Sequence, residues 1–348
     1  MTTARATLAD VAREAGVGIA TVSRALNGRP DVSAETIARV REVAATLGYR
    51  PSRTARALRR GSFSALSVIV PNSDWGWWEP VLRSAATAAA DAGFHLFVHP
   101  APALPGGLDT LIEGLADVPT EGVIVISVPD QQAIRAACDR IGLPVVAIDD
   151  STHALHLATV AAGNRDGARR ITEHLIERGH RRIAFVGAMV DGLESSWGEG
   201  LFIEERLSGY RDAMTEAGIP IDEDLVIGWP ALGIESTVFV DPLDDLLAKG
   251  DVPDAIFCVA DLAAPPVLRT LSAHGLSVPA DVAVAGFDDE RAALLMNPQL
   301  TTMRQPYDDI GRIAVNLLRR ALGGEHLPVH RHTVSATLVE RESTARGH

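Results

Sequence analysis

Three tryptophans, Trp75, Trp77 and Trp78, fall within four positions of a chain whose aromatic residues make up only 5% of the total. Such a cluster either offers flat apolar faces to a ring such as a pyranose, or packs into a core or a dimer contact. Asp74 and Glu79 flank it, as acceptors for hydroxyls or as helix caps. A second group of acids, Asp288 and Asp289, closes the apolar run VAVAGF. With no nucleophile or metal cluster beside them, these two read as binding groups. Enzymatic patterns fail elsewhere. Ala15-Gly16-Val17-Gly18 contains a GxG, but Thr21 stands where the next glycine is required and no strand precedes it. P-loop, GxSxG and HExxH patterns are absent. His330 and His332 form an HxH that reads as an exposed strand edge, and Cys138 and Cys258, without CxxC spacing, read as buried reduced thiols. The expectation is a binding protein that is not an enzyme and uses no cofactor and no metal.

Two kinds of element must position these residues. The first sixty residues read as short helices. Thr7-Leu8-Ala9-Asp10 has the form of a capping box, Gly16 supplies a turn, and a second helix follows from about Ile19 to Leu26. Ser33 caps a third helix, in which Ile37, Val40, Val43, Ala44 and Leu47 recur at helical spacing. A helix, a glycine-containing turn and a second helix make a helix-turn-helix, whose second helix suits a major groove. From residue 66 the pattern changes to short apolar runs at 66–70, 95–98, 122–127, 145–149, 183–187, 255–260 and 282–287. Helical stretches at 78–92, 131–141, 165–179, 204–217, 262–274 and 306–322 lie between them. This alternation predicts two α/β domains with parallel sheets covered on both faces. Ligands are then expected at the carboxyl ends of the strands, in a crevice between the halves.

The charge is distributed along the same division. Over 348 residues the net charge is -13. Residues 1–61 nevertheless carry 11 arginines against 5 acids, or +6, leaving 21 basic against 40 acidic residues, or -19, for the rest. Nearly all the positive charge is guanidinium, the group suited to bidentate phosphate and guanine contacts, because Lys249 is the sole lysine. The segment 50–61, RPSRTARALRRG, holds five of these arginines, Arg53 and Arg56 among them, and is either a solvated linker or an arm that contacts DNA. No run of 18 uncharged apolar residues occurs and the N-terminus is charged, so a soluble cytoplasmic protein without membrane contact is expected.

The segment TLADVAREAGVGIATVSRALNG (7–28) resembles the helix-turn-helix of the LacI/GalR (lactose repressor/galactose repressor) family. It is followed by a similar VSAETIARVREVAATLGYRPSRTARALRRG, and the likeness continues through HLIERGHRRIAFVG, ERLSGYRDAMTEAGI, VPADVAVAGFDD, PQLTTMRQP and VERESTA. The resemblance covers essentially the whole chain. It implies a homodimeric transcription regulator, most simply a repressor, that binds double-stranded operator DNA and responds to a small sugar-like effector. The alternative it leaves open is a global regulator whose core binds a partner protein, or one that takes a nucleoside or purine-type effector. The implied fold is a helix-turn-helix head with a hinge helix (1–61) ahead of a two-subdomain α/β core like a periplasmic sugar-binding protein. One subdomain is expected from 62–161 with 291–322, the other from 162–290 with 323–348. With no heptad tail after Glu340, a dimer is expected rather than a tetramer.

Residue by residue, the resemblance places the recognition helix at Ile19 through Asn27. Arg24 is the best direct reader, since arginine grips guanine O6 and N7 together, while Ile19 and Ala20 offer only apolar contact. Thr7, Thr21 and Ser23 suit phosphates better than bases. Leu58 matches the family's minor-groove wedge, flanked by Ala55 and Arg56, and Ser52 stands where an asparagine is common. In the core, Asp149, Arg206, Trp229 and Asp288 match positions that hold hydroxyls or stack on a sugar ring, with Ser127 a weaker candidate at a strand end. The tryptophans at 75–78 fall where the resemblance puts one wall of the cleft. Ala260-Asp261 stands where the family commonly has Asn-Asp, which keeps Asp261 as a candidate but loses a hydroxyl-binding amide. The ligand is therefore expected to be smaller, differently oriented or less polar than a simple hexose.

Overall fold

The computed structural model describes residues 6–26, 29, 31–49, 63–71, 76, 78–101, 107–127, 130–148, 152–188, 200–228 and 241–345. The chain divides into two compact units, Met1–Phe63 and Ser64–His348. In the first, helix α1 (Leu8–Ala15) starts on the expected capping box. The Thr7 hydroxyl accepts from the Asp10 N–H, and the Asp10 carboxylate accepts from the Thr7 N–H. Gly16 at φ +65° ends the helix in the left-handed region, which a side chain would resist. Helix α2 (Ile19–Leu26) follows, and α3 (Ala34–Thr46) is capped by the Ser33 hydroxyl. Val11, Ala12, Ala15, Val22, Ala25, Val40 and Ala44 form the shared buried core, with Leu8, Val17, Leu26 and Ile37 packed against it. This spacing is what makes three short helices stable together when none would be alone.

The second unit holds two six-stranded sheets. In chain order it begins with β1 (Ala65–Val70), α4 (Trp78–Asp91), β2 (His95–Pro100), α5 (Gly107–Gly114) and β3 (Val123–Ile126). Next come α6 (Gln131–Ile141), β4 (Val145–Ile148), β5 (Thr159–Ala162), α7 (Asn164–Glu177), β6 (Ile183–Ala188), α8 (Leu201–Glu216) and β7 (Val226–Gly228). The remainder is α9 (Asp241–Ala248), β8 (Ala255–Cys258), α10 (Ala264–Ala273), β9 (Ala283–Asp288), α11 (Arg291–Leu295) and β10 (Thr301–Arg304), then α12 (Tyr307–Leu322), β11 (Arg331–Val334) and β12 (Thr337–Val339). The first sheet has the order β11-β5-β4-β3-β1-β2 and is parallel throughout. In the second, β12-β10-β9-β8-β6-β7, only β12 runs antiparallel. Helices cover both faces of each sheet, so central strands such as β1, β3 and β8 are buried along their length.

The lobes exchange chain three times, and the crossings differ from the expected boundaries. The chain leaves the first lobe between β5 and α7, returns between β10 and α12, and leaves again between β11 and β12. Residues 291–322 therefore do not belong to one lobe. Ala293 of α11 lies in a core cluster of the second lobe and β10 pairs with β9, whereas α12 packs with α4 in the first. Residues 323–348 are likewise split, because β11 pairs in parallel with β5, Arg331 facing Thr159, and only β12 joins the second sheet. A second difference concerns β2. Its run HLFV reads as a buried strand, yet it is the outer strand of its sheet, with Phe97 39% and Val98 43% exposed.

Candidate DNA-reading helix and ligand cleft

In the head, α2 turns Val22 and Ala25 inward and leaves Ile19, Ala20 and Arg24 on the opposite, exposed face. The periodicity dictates this, since Ala20 and Arg24, four positions apart, share one side of the helix and Ile19 borders it, while Val22 and Ala25, three apart, share the other and pack in the core with α1 and α3. Ile19 is 53% exposed, a large apolar side chain held in water by the head alone. Thr21 and Ser23 are half-buried at the margin of that face. Thr7 is occupied as the α1 cap, its hydroxyl donating to Asp10 at 2.7 Å. Arg24 forms an ion pair with Asp31 at 3.3 Å. The expected contacts Asn27, Arg53, Ala55, Arg56 and Leu58 lie outside the described residues.

In the core, the chemistry gathers where strands β8 and β9 end. Arg206, 2% exposed on α8, donates from Nε to Asn164 Oδ1 at 2.9 Å, from Nη1 to the Val259 carbonyl at 2.7 Å and from Nη2 to Asp288 Oδ1 at 3.0 Å. Its guanidinium carbon lies 3.8 Å from the centre of the Phe287 ring, a cation–π contact that helps hold a desolvated charge. These bonds use three of five N–H groups, so the fork retains donors for a ligand. Asp288, 4% exposed, sits at φ +115°, a conformation rare outside glycine, and is tied from several sides. Its carboxylate also accepts from Gln305 Nε2 at 2.6 Å, and its carbonyl accepts the Tyr307 hydroxyl at 2.8 Å. Burial, reinforced by the Asp288 carboxylate, pushes the Tyr307 hydroxyl well above its ordinary pKa, so it stays a donor.

Among the described residues, two buried polar atoms have no protein partner, one beside Asp288 and one just past β3. Gln305 is 3% exposed, with Oε1 buried and unbonded, and the buried Oγ of Ser127, at φ +43° just past β3, is likewise unbonded. A buried acceptor and a buried hydroxyl left unsatisfied are costly unless something polar meets them. Gln305 was not singled out from sequence, although it lies in the motif PQLTTMRQP. Nor does any sequence motif point to Asn164 or Tyr307. All three stand at lobe crossings that sequence periodicity does not mark.

Two expected ligand contacts take other positions. Trp78 is 2% exposed and belongs to the first lobe's core with Leu82, Ile310 and Ala314, so its indole packs inside instead of facing a ligand. Its place in the first turn of α4 explains this, because that turn's inward face closes the sheet. Asp261 is fully buried behind the strand ends. It accepts from the Thr302 hydroxyl and, at 2.8 Å, from the Glu290 N–H, and so supports the turn that carries Asp288. The approach is close enough that a Cβ on Gly286 would lie 2.3 Å from Asp261 Oδ1, which accounts for glycine in GFDD. Asp289 is structural too, paired with Arg304 and Arg341. Asp74, Trp75, Trp77, Asp149 and Trp229 lie outside the described residues.

Two family models match this chain. That of the bacterial regulatory proteins, lacI family, covers residues 7–52, and that of a periplasmic binding protein-like domain covers residues 172–344. The HTH-type transcriptional regulator CelR of Thermobifida fusca is 34% identical over 351 residues, spanning 97% of this chain and 98% of that protein. The chain belongs to the lacI family of bacterial regulatory proteins. Among solved lacI-type structures, a transcriptional regulator CelR–cellobiose complex aligns with 97% of this chain and all of that one, at 30% identity and a TM-score of 0.69. The lac repressor dimer bound to operator and the anti-inducer ONPF aligns at 26% identity and a TM-score of 0.80, covering 99% of this chain and all of that one. In this lacI-family core Ala260, 8% exposed, precedes the buried Asp261 and offers no side-chain amide.

Proposed function

We propose that the chain is a cytoplasmic, ligand-controlled transcription regulator, a repressor without enzymatic activity, that works as a homodimer. Helix α2 enters the major groove of each half of a pseudo-palindromic operator, with Arg24 reading guanine and Ile19 and Ala20 making apolar contact. A sugar-like effector binds between the lobes, on Arg206, Asp288, Gln305 and Ser127. The observation that carries the reading is the joining, in one chain, of a helix-turn-helix with an outward arginine to a core with a buried Arg206–Asp288 pair, beside which Gln305, bonded to Asp288, has an Oε1 unsatisfied among the described residues. A polyhydroxylated ligand supplies both donors and acceptors to such a set, and carboxylate and guanidinium together hold several hydroxyls. Lobe position then changes operator affinity only as far as the effector binds one arrangement better than the other.

The test is selection of bound duplexes from a random pool by the purified protein, followed by titration with cellobiose and other mono- and disaccharides. Operator affinity and tryptophan fluorescence are read in parallel. A defined two-fold symmetric site whose affinity shifts with one sugar supports the proposal. No preference for any duplex at low salt refutes the DNA-reading half, and indifference to every sugar refutes the effector half.

A further inference from the structure

The Arg24–Asp31 pair brings a carboxylate to the face of the head that α2 presents. Arg24 Nη1 lies 3.3 Å from Asp31 Oδ2, the two side chains are 51% and 54% exposed, and no other bond to Arg24 is found among the described residues. Asp31 lies two residues ahead of the Ser33 cap of α3, in a head whose charge is otherwise strongly basic. A carboxylate so placed raises the cost of approach to phosphate, and for non-specific binding it is purely a loss. It does, however, act on the arginine. A free arginine side chain samples many rotamers, and any that reach a phosphate compete with the one that reaches a base. Binding Nη1 to a carboxylate just ahead of α3 narrows the range of the guanidinium and leaves the Nε and Nη2 edge open, the paired donors that guanine O6 and N7 require.

We propose that Asp31 is a positioning residue for Arg24, holding the guanidinium for guanine and making it a poor partner for phosphate, so that it raises specificity at the expense of affinity for random DNA. This rests on the reading of Arg24 as the base reader, and the experiment separates the two. Duplexes are selected from a random pool with the full-length protein and with Arg24→Ala, Asp31→Ala and Asp31→Asn, and melting curves report folding. Arg24→Ala identifies the position that Arg24 reads; if it erases no preference, the reading of Arg24 fails, and the role of Asp31 with it. If that position exists, Asp31→Ala should weaken the guanine preference there by about two- to fivefold, the span that exposed ion pairs are worth, while other positions keep theirs. Affinity for random duplexes should rise, and Asp31→Asn, which keeps an acceptor without the charge, should lie between. Undiminished guanine preference in Asp31→Ala overturns the proposal. So does a loss spread evenly over all positions with a lowered melting temperature, the mark of an acid that merely supports α3.

Discussion

Arg206 has one role that the structure shows and one that is proposed, and a single substitution will mix them. It is a ligand donor in the proposed cleft, and it is also the counter-charge for a 4% exposed carboxylate, Asp288. Removing one member of a buried pair strands the other, at a cost of about 3–5 kcal/mol. Arg206→Ala should therefore lower the melting temperature by several degrees as well as abolish the effector response. Arg206→Ala combined with Asp288→Asn should recover part of the stability but none of the response. A calorimetric melt of Arg206→Ala that overlays the parent would show that Asp288 does not depend on it. Asp261 makes the opposite kind of prediction. Burial, and then the nearby Asp288 carboxylate, push its pKa well above the usual carboxylate range. The unfolded chain loses that proton near pH 4, at about the reference value. Above that pH the folded form holds the extra proton, so stability falls as pH rises through the raised value. Asp261→Asn cannot ionise, and its melting temperature should exceed the parent's at neutral pH, with the gap closing below pH 4. A gap that does not vary with pH would remove Asp261 as the titrating group.

The crossing of α7 and α8 shows why the elements hold these residues where they do. Gly209 lets the helices touch, since a Cβ there would stand 2.1 Å from the Arg165 carbonyl and 2.8 Å from the Arg169 nitrogen. Alanine normally favours a helix over glycine by about 1 kcal/mol, but here it must push two backbones apart. Gly209→Ala should reduce stability in urea denaturation and, by shifting Arg206 three residues away, weaken any ligand bound at Asp288. The same helix faces the other lobe, with Glu204 paired to His153 at 3.1 Å and Glu205 to Arg331 at 3.2 Å. Glu205→Gln should loosen the lobes, visible as a larger radius of gyration in solution scattering. An unchanged radius would assign that pair to the surface alone. Much of this architecture was legible in the sequence. The head helices, their caps and the buried central strands follow from spacing and composition, because each is fixed by its own residues. The strands β5, β7, β10 and β12 were not legible. TVAA, VIG, TTMR and TLV are only three or four residues long, too short for a periodicity to show, and they become strands only because a neighbour is already in place. Gln305 and Tyr307 gain their roles from the crossing between lobes, which no local pattern announces, and Trp78 is buried by the tertiary packing of α4, which its clustering with Trp75 and Trp77 does not reveal.

Over the whole molecule, charge and apolar surface make separate demands. The head is strongly basic and the remainder strongly acidic. Operator affinity should therefore fall steeply and log-linearly with salt, with a slope set by the phosphates the head neutralises, and the acidic remainder should add little to it. The apolar demand concerns association. Phe97 and Val98 stand exposed on the outer strand β2, and Leu294 and Leu295 of α11 are 50% and 77% exposed. An exposed apolar edge strand invites pairing, and a two-fold dimer satisfies it because one patch serves both subunits. A charge placed at either site has to be buried unpaired if that site lies in the interface of the proposed dimer. Val98→Asp with Leu295→Asp should thus leave a folded monomer in sedimentation, with an unaltered circular dichroism spectrum. That monomer should bind a single half-site as the parent head does but lose the added affinity for a full operator, since the second head no longer arrives tethered to the first. If the doubly charged variant sediments as a dimer, these side chains do not form the interface. If it is monomeric and still grips the full operator with parental affinity, the two heads do not act through dimerisation of the core.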